Sequence, residues 1–207
     1  MKSSILRAGV VALACALGLS ACGGGSGDLN LIGVVSGVSQ DGLVLQNNGG
    51  DDTNVVSPYT SFQFGNRVST DDQFNITVKH KPDNAEACFV TNGKARANYF
   101  TIGQISVACT IKQHALTAKI VNLIGNGLVI VNGSDRQEVQ PNTTSESGPQ
   151  TTSVQMAKVN QDGVYGVTVL TQPAGQTCTV SGGSKPDGNG TGIMGSDENT
   201  TVTVNCT

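Results

Sequence analysis

Few residues in this 207-residue chain could carry covalent chemistry or hold an ion. The cysteines are Cys15, Cys22, Cys88, Cys109, Cys178 and Cys206, and the histidines are His80 and His114. Adjacent carboxylates occur at Asp51-Asp52 and Asp71-Asp72. A Ser-His-Asp triad assembles in space, so chain order does not bar one. However, no G-x-S-x-G elbow is present, and the many Ser and Thr residues fall in strand and turn phrases. His80 closes an apparent strand and His114 stands where two similar halves meet. Both Asp pairs read as turn residues that bond their own backbone. A glycosidase pair would call for aromatic platforms, and the chain has no Trp. These observations point to a protein without catalytic residues. One segment suits a hard cation. "DGNGTGIMGSDE" (187–198) puts Asp187, Asn189, Thr191, Gly192 and Glu198 at positions 1, 3, 5, 6 and 12 of a calcium loop. Thr stands where Asp or Asn is usual, and no helical pattern flanks the segment. Calcium is therefore the one cofactor that the spacing offers. Zinc is disfavoured, because no cysteine pair has C-x-x-C spacing and no His sits beside one.

The amino terminus decides the redox setting. "MKSSILRAGVVALACALGLSAC" carries Lys2 and Arg7, then runs apolar to Leu19. This is a charged n-region before an h-region too short to span a bilayer. Leu19-Ser20-Ala21-Cys22 resembles the bacterial lipobox. The resemblance implies cleavage before Cys22, diacylglycerol on its sulfur and a fatty acyl chain on the new amino end. Each buried methylene contributes about 0.8 kcal/mol, so two or three chains anchor firmly. Residue 23 is Gly rather than Asp, which leans towards the outer membrane. Residues 22–30 then read as a Gly/Ser-rich tether.

With Cys15 removed and Cys22 lipidated, Cys88, Cys109, Cys178 and Cys206 remain. An even number in an exported chain reads as disulfides. Four cysteines allow three connectivities, and an internal repeat favours Cys88–Cys109 with Cys178–Cys206. Removing 1–21 takes Lys2 and Arg7 from 12 basic residues and none of 15 acidic ones, leaving 10 against 15, a formal −5. That balance argues against nucleic acid.

The repeat carries the architecture. "SGVSQDGLVLQNNGGDD" (36–52) matches "VNLIGNGLVIVNGSDRQ" (121–137). "FNITVKHKPDNAEACFVTNG" (74–93) matches "YGVTVLTQPAGQTCTVSGG" (165–183), with one extra residue in the first. "ISVACT" (105–110) matches "VTVNCT" (202–207). This is a tandem duplication, with repeats at 31–110 and 111–207. The first repeat predicts strands near 31–36, 42–47, 52–57, 61–65, 73–80, 87–92 and 103–109. The second predicts them near 116–122, 127–132, 135–140, 152–158, 164–170, 177–181 and 200–206. Seven short strands per repeat, several alternating apolar and polar, predict an all-β chain of two Ig-like β-sandwiches. In each, the first cysteine opens the sixth strand and its partner ends the seventh. A bridge there would close the long hairpin between antiparallel neighbours. The aromatic-poor second copy, where Tyr165 is the sole aromatic after Phe100, would depend on it most.

"GLVLQNNGGDD", "FNITVK", "TQPAGQTCTVSGG" and "VNCT" resemble a repeat found in tandem in proteobacterial exported proteins and lipoproteins. The resemblance covers most of 31–207 and implies export and a modular β fold, with no catalytic residues. The chain departs from it at 141–151, 81–87 and 94–103. The expected role is structural or adhesive, on the outer membrane, with the lipid anchor in the membrane and a protein partner met by strand addition at an exposed edge. A periplasm-facing accessory in envelope assembly or secretion is the alternative.

Overall fold

The computed structural model describes residues 28–142, 151–184, 188–196 and 200–207. The predicted signal segment, Cys22 and most of the tether lie outside these residues, as do Asp187 and Glu198.

Among the described residues the regular structure is all strand apart from one 3-10 turn. The first half holds β1 (Leu29–Ser36), β2 (Val44–Asn47), β3 (Asp51–Asn54), β4 (Ser61–Val68), β5 (Gln73–His80), β6 (Ala85–Thr91), β7 (Lys94–Arg96) and β8 (Ile105–Ile111). A two-residue β9 (Gln113–His114) leads into the second half. There follow β10 (Leu116–Val121), β11 (Leu128–Asn132), β12 (Asp135–Val139), β13 (Thr151–Gln155), β14 (Val159–Asn160), β15 (Val164–Thr171), β16 (Cys178–Gly182), β17 (Thr191–Ile193) and β18 (Thr200–Cys206).

Alternation explains why these segments are strands. In β1, Leu29, Leu31 and Val35 turn inward while Ile32, Val34 and Ser36 face out. In β5, Phe74 and Ile76 are buried between exposed Gln73 and Asn75. A period of two puts one apolar face on each strand, and two such faces must cover each other. The first half pairs the sheets β4-β1-β8-β6 and β3-β2-β5-β7. The second repeats that plan as β13-β10-β18-β16 and β12-β11-β15-β17. Each sandwich has its own core. Leu31, Leu45, Phe64, Phe74 and Ile105 fill the first, where Phe62 and Phe64 meet edge to face at 5.7 Å. Leu116, Ile120, Leu128, Ile130, Met194 and Val204 fill the second, with Tyr165 its one aromatic.

One correction concerns the strand count. Among the described residues each sandwich has eight strands rather than seven. The added ones, β7 and β17, cross to the opposite sheet and pair with the starts of β5 and β15. The bridged strands are therefore neighbours within a sheet, but the segment joining them visits the other sheet and is not a simple hairpin. The bridges themselves are present. Cys88 lies directly opposite Cys109, and Cys178 directly opposite Cys206.

Direction matters for function. The first and last strands of each sandwich run parallel: β1 with β8 and β10 with β18. The chain thus comes in at one end of a sandwich (the near end) and leaves at the other (the far end). Tandem sandwiches built this way sit in series.

Gly37 follows β1 at the far end of the first sandwich. Its φ is +71°, and an added Cβ would fall 1.9 Å from the Cys109 carbonyl oxygen. Gly37→Ala should therefore combine left-handed strain with a backbone clash, costing at least about 1–3 kcal/mol. Urea unfolding of the variant measures this, and an unchanged midpoint would contradict it.

Candidate functional site

The sequence-predicted calcium residues do not form a continuous loop. Thr191–Ile193 is a strand, and Gly192, at the position that should turn sharply, is paired with Tyr165 instead. A side chain at Gly192 would meet Tyr165 Oη at 2.4 Å and Ser184 Oγ at 2.1 Å, so this glycine makes room for the tyrosine. The Thr191 hydroxyl donates to Asn189 Oδ1 at 2.8 Å. Asp187 and Glu198 lie outside the described residues. Among the described residues, no three His, Cys, Asp or Glu come together as a metal would need.

The other candidates occupy structural places. His80 is exposed at the end of β5. His114 is buried in β9, opposite Val159, with its Nε2 3.4 Å from Gln161 Oε1. Asp71 and Asp72 do form a turn: Asp71 has φ +68°, and Asp72 Oδ2 accepts from the Ser69 amide at 2.7 Å. Asp51 and Asp52 do not. They open strand β3, and Asp52 pairs with the Lys79 ammonium across the sheet. At the far end of the first sandwich, Tyr59 Oη donates to Asp41 Oδ1 at 3.0 Å. That hydrogen bond, with slight desolvation and the carboxylate charge, raises the phenol above its ordinary value.

The most elaborated region is the junction between the sandwiches. There β9 pairs with β14, and Gln113 Nε2 donates to Asn160 Oδ1 at 3.0 Å. The Lys112 amide donates to Asn84 O at 2.9 Å, and the Gln161 amide to Lys112 O at 2.8 Å. Asn84, from the "KPDN" turn, is fully buried. Its Nδ2 donates to Ser39 Oγ within its own sandwich and to Asp162 Oδ2 of the next, both at 3.0 Å. Beside this contact lies an open polar cleft of about 560 Å³ lined by Glu86, Lys112, Gln113, His114, Lys158 and Ser196. Its lining is polar, and the His114 ring faces the Gln161 side-chain amide.

The two near ends are built alike. Asp162 has φ +64° and its amide donates to Met194 O, while the Met194 amide donates to Gly163 O. In the first sandwich the Asp71 amide donates to Ala97 O, and the Ala97 amide to Asp72 O. One of these equivalent turns receives Asn84. The other lies at the near end of the first sandwich, beside the two most exposed aromatic residues described, Tyr99 and Phe100. Sequence reasoning passed over that pair and Asn84. The available signal was position: both lie in stretches where the repeat becomes irregular, and adjacent aromatics stand out in a chain that is 4% aromatic.

No protein-family model matches the chain, and no curated protein matches it in sequence. Among solved structures it is similar to a minor pilin of the Gram-positive pathogen Streptococcus agalactiae, with 9% identity and a TM-score of 0.29, over 86% of this chain and 95% of that one. So slight a likeness carries nothing about role.

Proposed function

We propose that the chain is a lipid-anchored stalk of the bacterial envelope, held by Cys22 and acting by structure and binding rather than by turnover. One observation carries this reading: first and last strands run parallel in both sandwiches, so the polypeptide travels in one direction through the pair. Strands of seven or eight residues rise about 3.3 Å per residue, roughly 25 Å per sandwich and about 50 Å for two in series. The far end of the second sandwich is thereby carried away from the anchor. Its loops, and the polar junction cleft, are the surfaces offered to a protein partner. The two disulfides fit an oxidising compartment.

The test uses the full chain with an epitope added after Thr207. Intact cells should stain, and Cys22→Ser should release the protein from the membrane and abolish staining. If staining needs permeabilised cells, the stalk faces the periplasm, and the accessory role in envelope assembly replaces the adhesive one.

A further inference from the structure

We infer that Tyr99 and Phe100 form a membrane-facing foot, resting in the interfacial layer of the bilayer that carries the anchor. The inference rests on the proposed acylation of Cys22. Tyr99 and Phe100 are 82% and 81% exposed. They are not loose. Asn98 Oδ1 accepts from the amides of Phe100 and Thr101 at 2.9 and 3.1 Å, and Thr101 Oγ1 donates to Arg96 O at 2.7 Å. This Asx-type turn fixes the backbone and presents both rings outward.

Their position follows from strand direction. Residues 98–103 lead into β8, which runs parallel to β1 with Ile105 opposite Gly33. The loop therefore lies beside the first residues of β1, and its 3-10 turn, Thr101–Gly103, packs on that strand. This is the end at which the chain arrives from Cys22. Seven residue steps separate Cys22 from Leu29, which span at most about 25 Å fully extended. An anchored chain must hold this end, and no other, close to the lipid surface.

The duplication supplies an internal control. The described part of the equivalent stretch in the second sandwich, "MGS" (194–196), has no aromatic residue. That near end abuts the first sandwich, where Ser196 lines the polar cleft. Each near end thus suits its neighbour: polar against protein, aromatic towards the anchor. Phenol and phenyl rings favour the boundary between headgroups and acyl chains. Charge contributes little, because Arg67, Lys94 and Arg96 at this end are offset by Asp28, Asp71 and Asp72. Two rings would not retain a free protein. A short tether makes their insertion intramolecular and so effective.

The chain has no Trp, so one introduced indole reports alone. Full-length Phe100→Trp protein, exported and purified from membranes, is placed in phosphatidylcholine vesicles with brominated acyl chains. Ile124→Trp, 77% exposed on the far-end loop of the second sandwich, is the reference. Mass spectrometry and vesicle flotation report acylation and anchoring. Phe100→Trp should be quenched at least twofold and shifted to the blue, with Ile124→Trp unaffected. Anchored protein with an unquenched indole at 100 would overturn the foot and leave the anchor standing. The same emission would mean the rings serve a protein partner. Unacylated protein that does not float would overturn both.

Discussion

Replacing Cys178 and Cys206 together by alanine should cost about 3–4 kcal/mol from released chain entropy alone, for a loop of 28 residues. The same change at Cys88 and Cys109, which close 21 residues, has nearly the same entropic term. Packing separates the two. Cys178 and Cys206 are 3% and 1% exposed and belong to the second core, so their removal also empties buried space. In the first bridge Cys109, 8% exposed, also belongs to its core, but Cys88 is only partly buried against it. That core has Phe62, Phe64 and Phe74, whereas the second has Tyr165 as its one aromatic among aliphatic side chains and methionines. A domain's whole stability is about 5–15 kcal/mol, so the second sandwich should be the one that unfolds at body temperature. Hydrogen exchange read by mass spectrometry reports each half separately. Protection lost across β10–β18 while β1–β8 stays protected is the expected pattern. Equal loss in both halves, or none, would show that the second core does not lean on its bridge.

The strands that could be read from sequence were those whose own residues alternate. "QFNITVKH" and "VYGVTVLT" alternate in their first halves, burying Phe74 and Ile76 in one and Tyr165 and Val167 in the other, and their observed limits, 73–80 and 164–171, differ from expectation by at most one residue. "KAR" and "TGI" could not be read in this way. They are three residues long, show no usable period, and exist as strands because the starts of β5 and β15 offer them partners. Tertiary pairing rather than local preference makes them. The misplacement of Asp51-Asp52 has a similar cause. Two acidic residues beside Gly49-Gly50 look like a turn, but the turn closes one residue earlier and β2 takes both into its ladder. The disulfide partners were legible because the repeat sets the cysteines in register. The junction was not legible, because Asn84 acquires its role only once Asp162, 78 residues away, is brought to it.

That contact yields the second large effect. Asn84→Asp keeps the size of the side chain and replaces the amide donor with an acceptor. At neutral pH it sets a fully buried carboxylate 3.0 Å from Asp162 Oδ2, where an N–H had been. Burial and the neighbouring charge both oppose ionisation, and the loss should be about 3 kcal/mol, concentrated at the junction. The sandwiches should stay folded, since their cores share no residue. What should fail is docking: the Gln161 amide, which bonds from the second sandwich to the Lys112 carbonyl at the end of the first, should exchange faster. Lowering the pH protonates the introduced carboxyl, restores a donor and should restore protection. Asp162→Asn in the same chain supplies an amide opposite the carboxylate, and the Ser39 hydroxyl can reverse its role to donate. The double variant should therefore recover at least half of the loss at neutral pH, a coupling that two independent sites would not show. Unchanged Gln161 protection in Asn84→Asp would mean that the sandwiches are held by the β9–β14 pairing alone. The pair of sandwiches would then hinge at this point, and the span of about 50 Å expected for two sandwiches in series would be an upper limit rather than a fixed length.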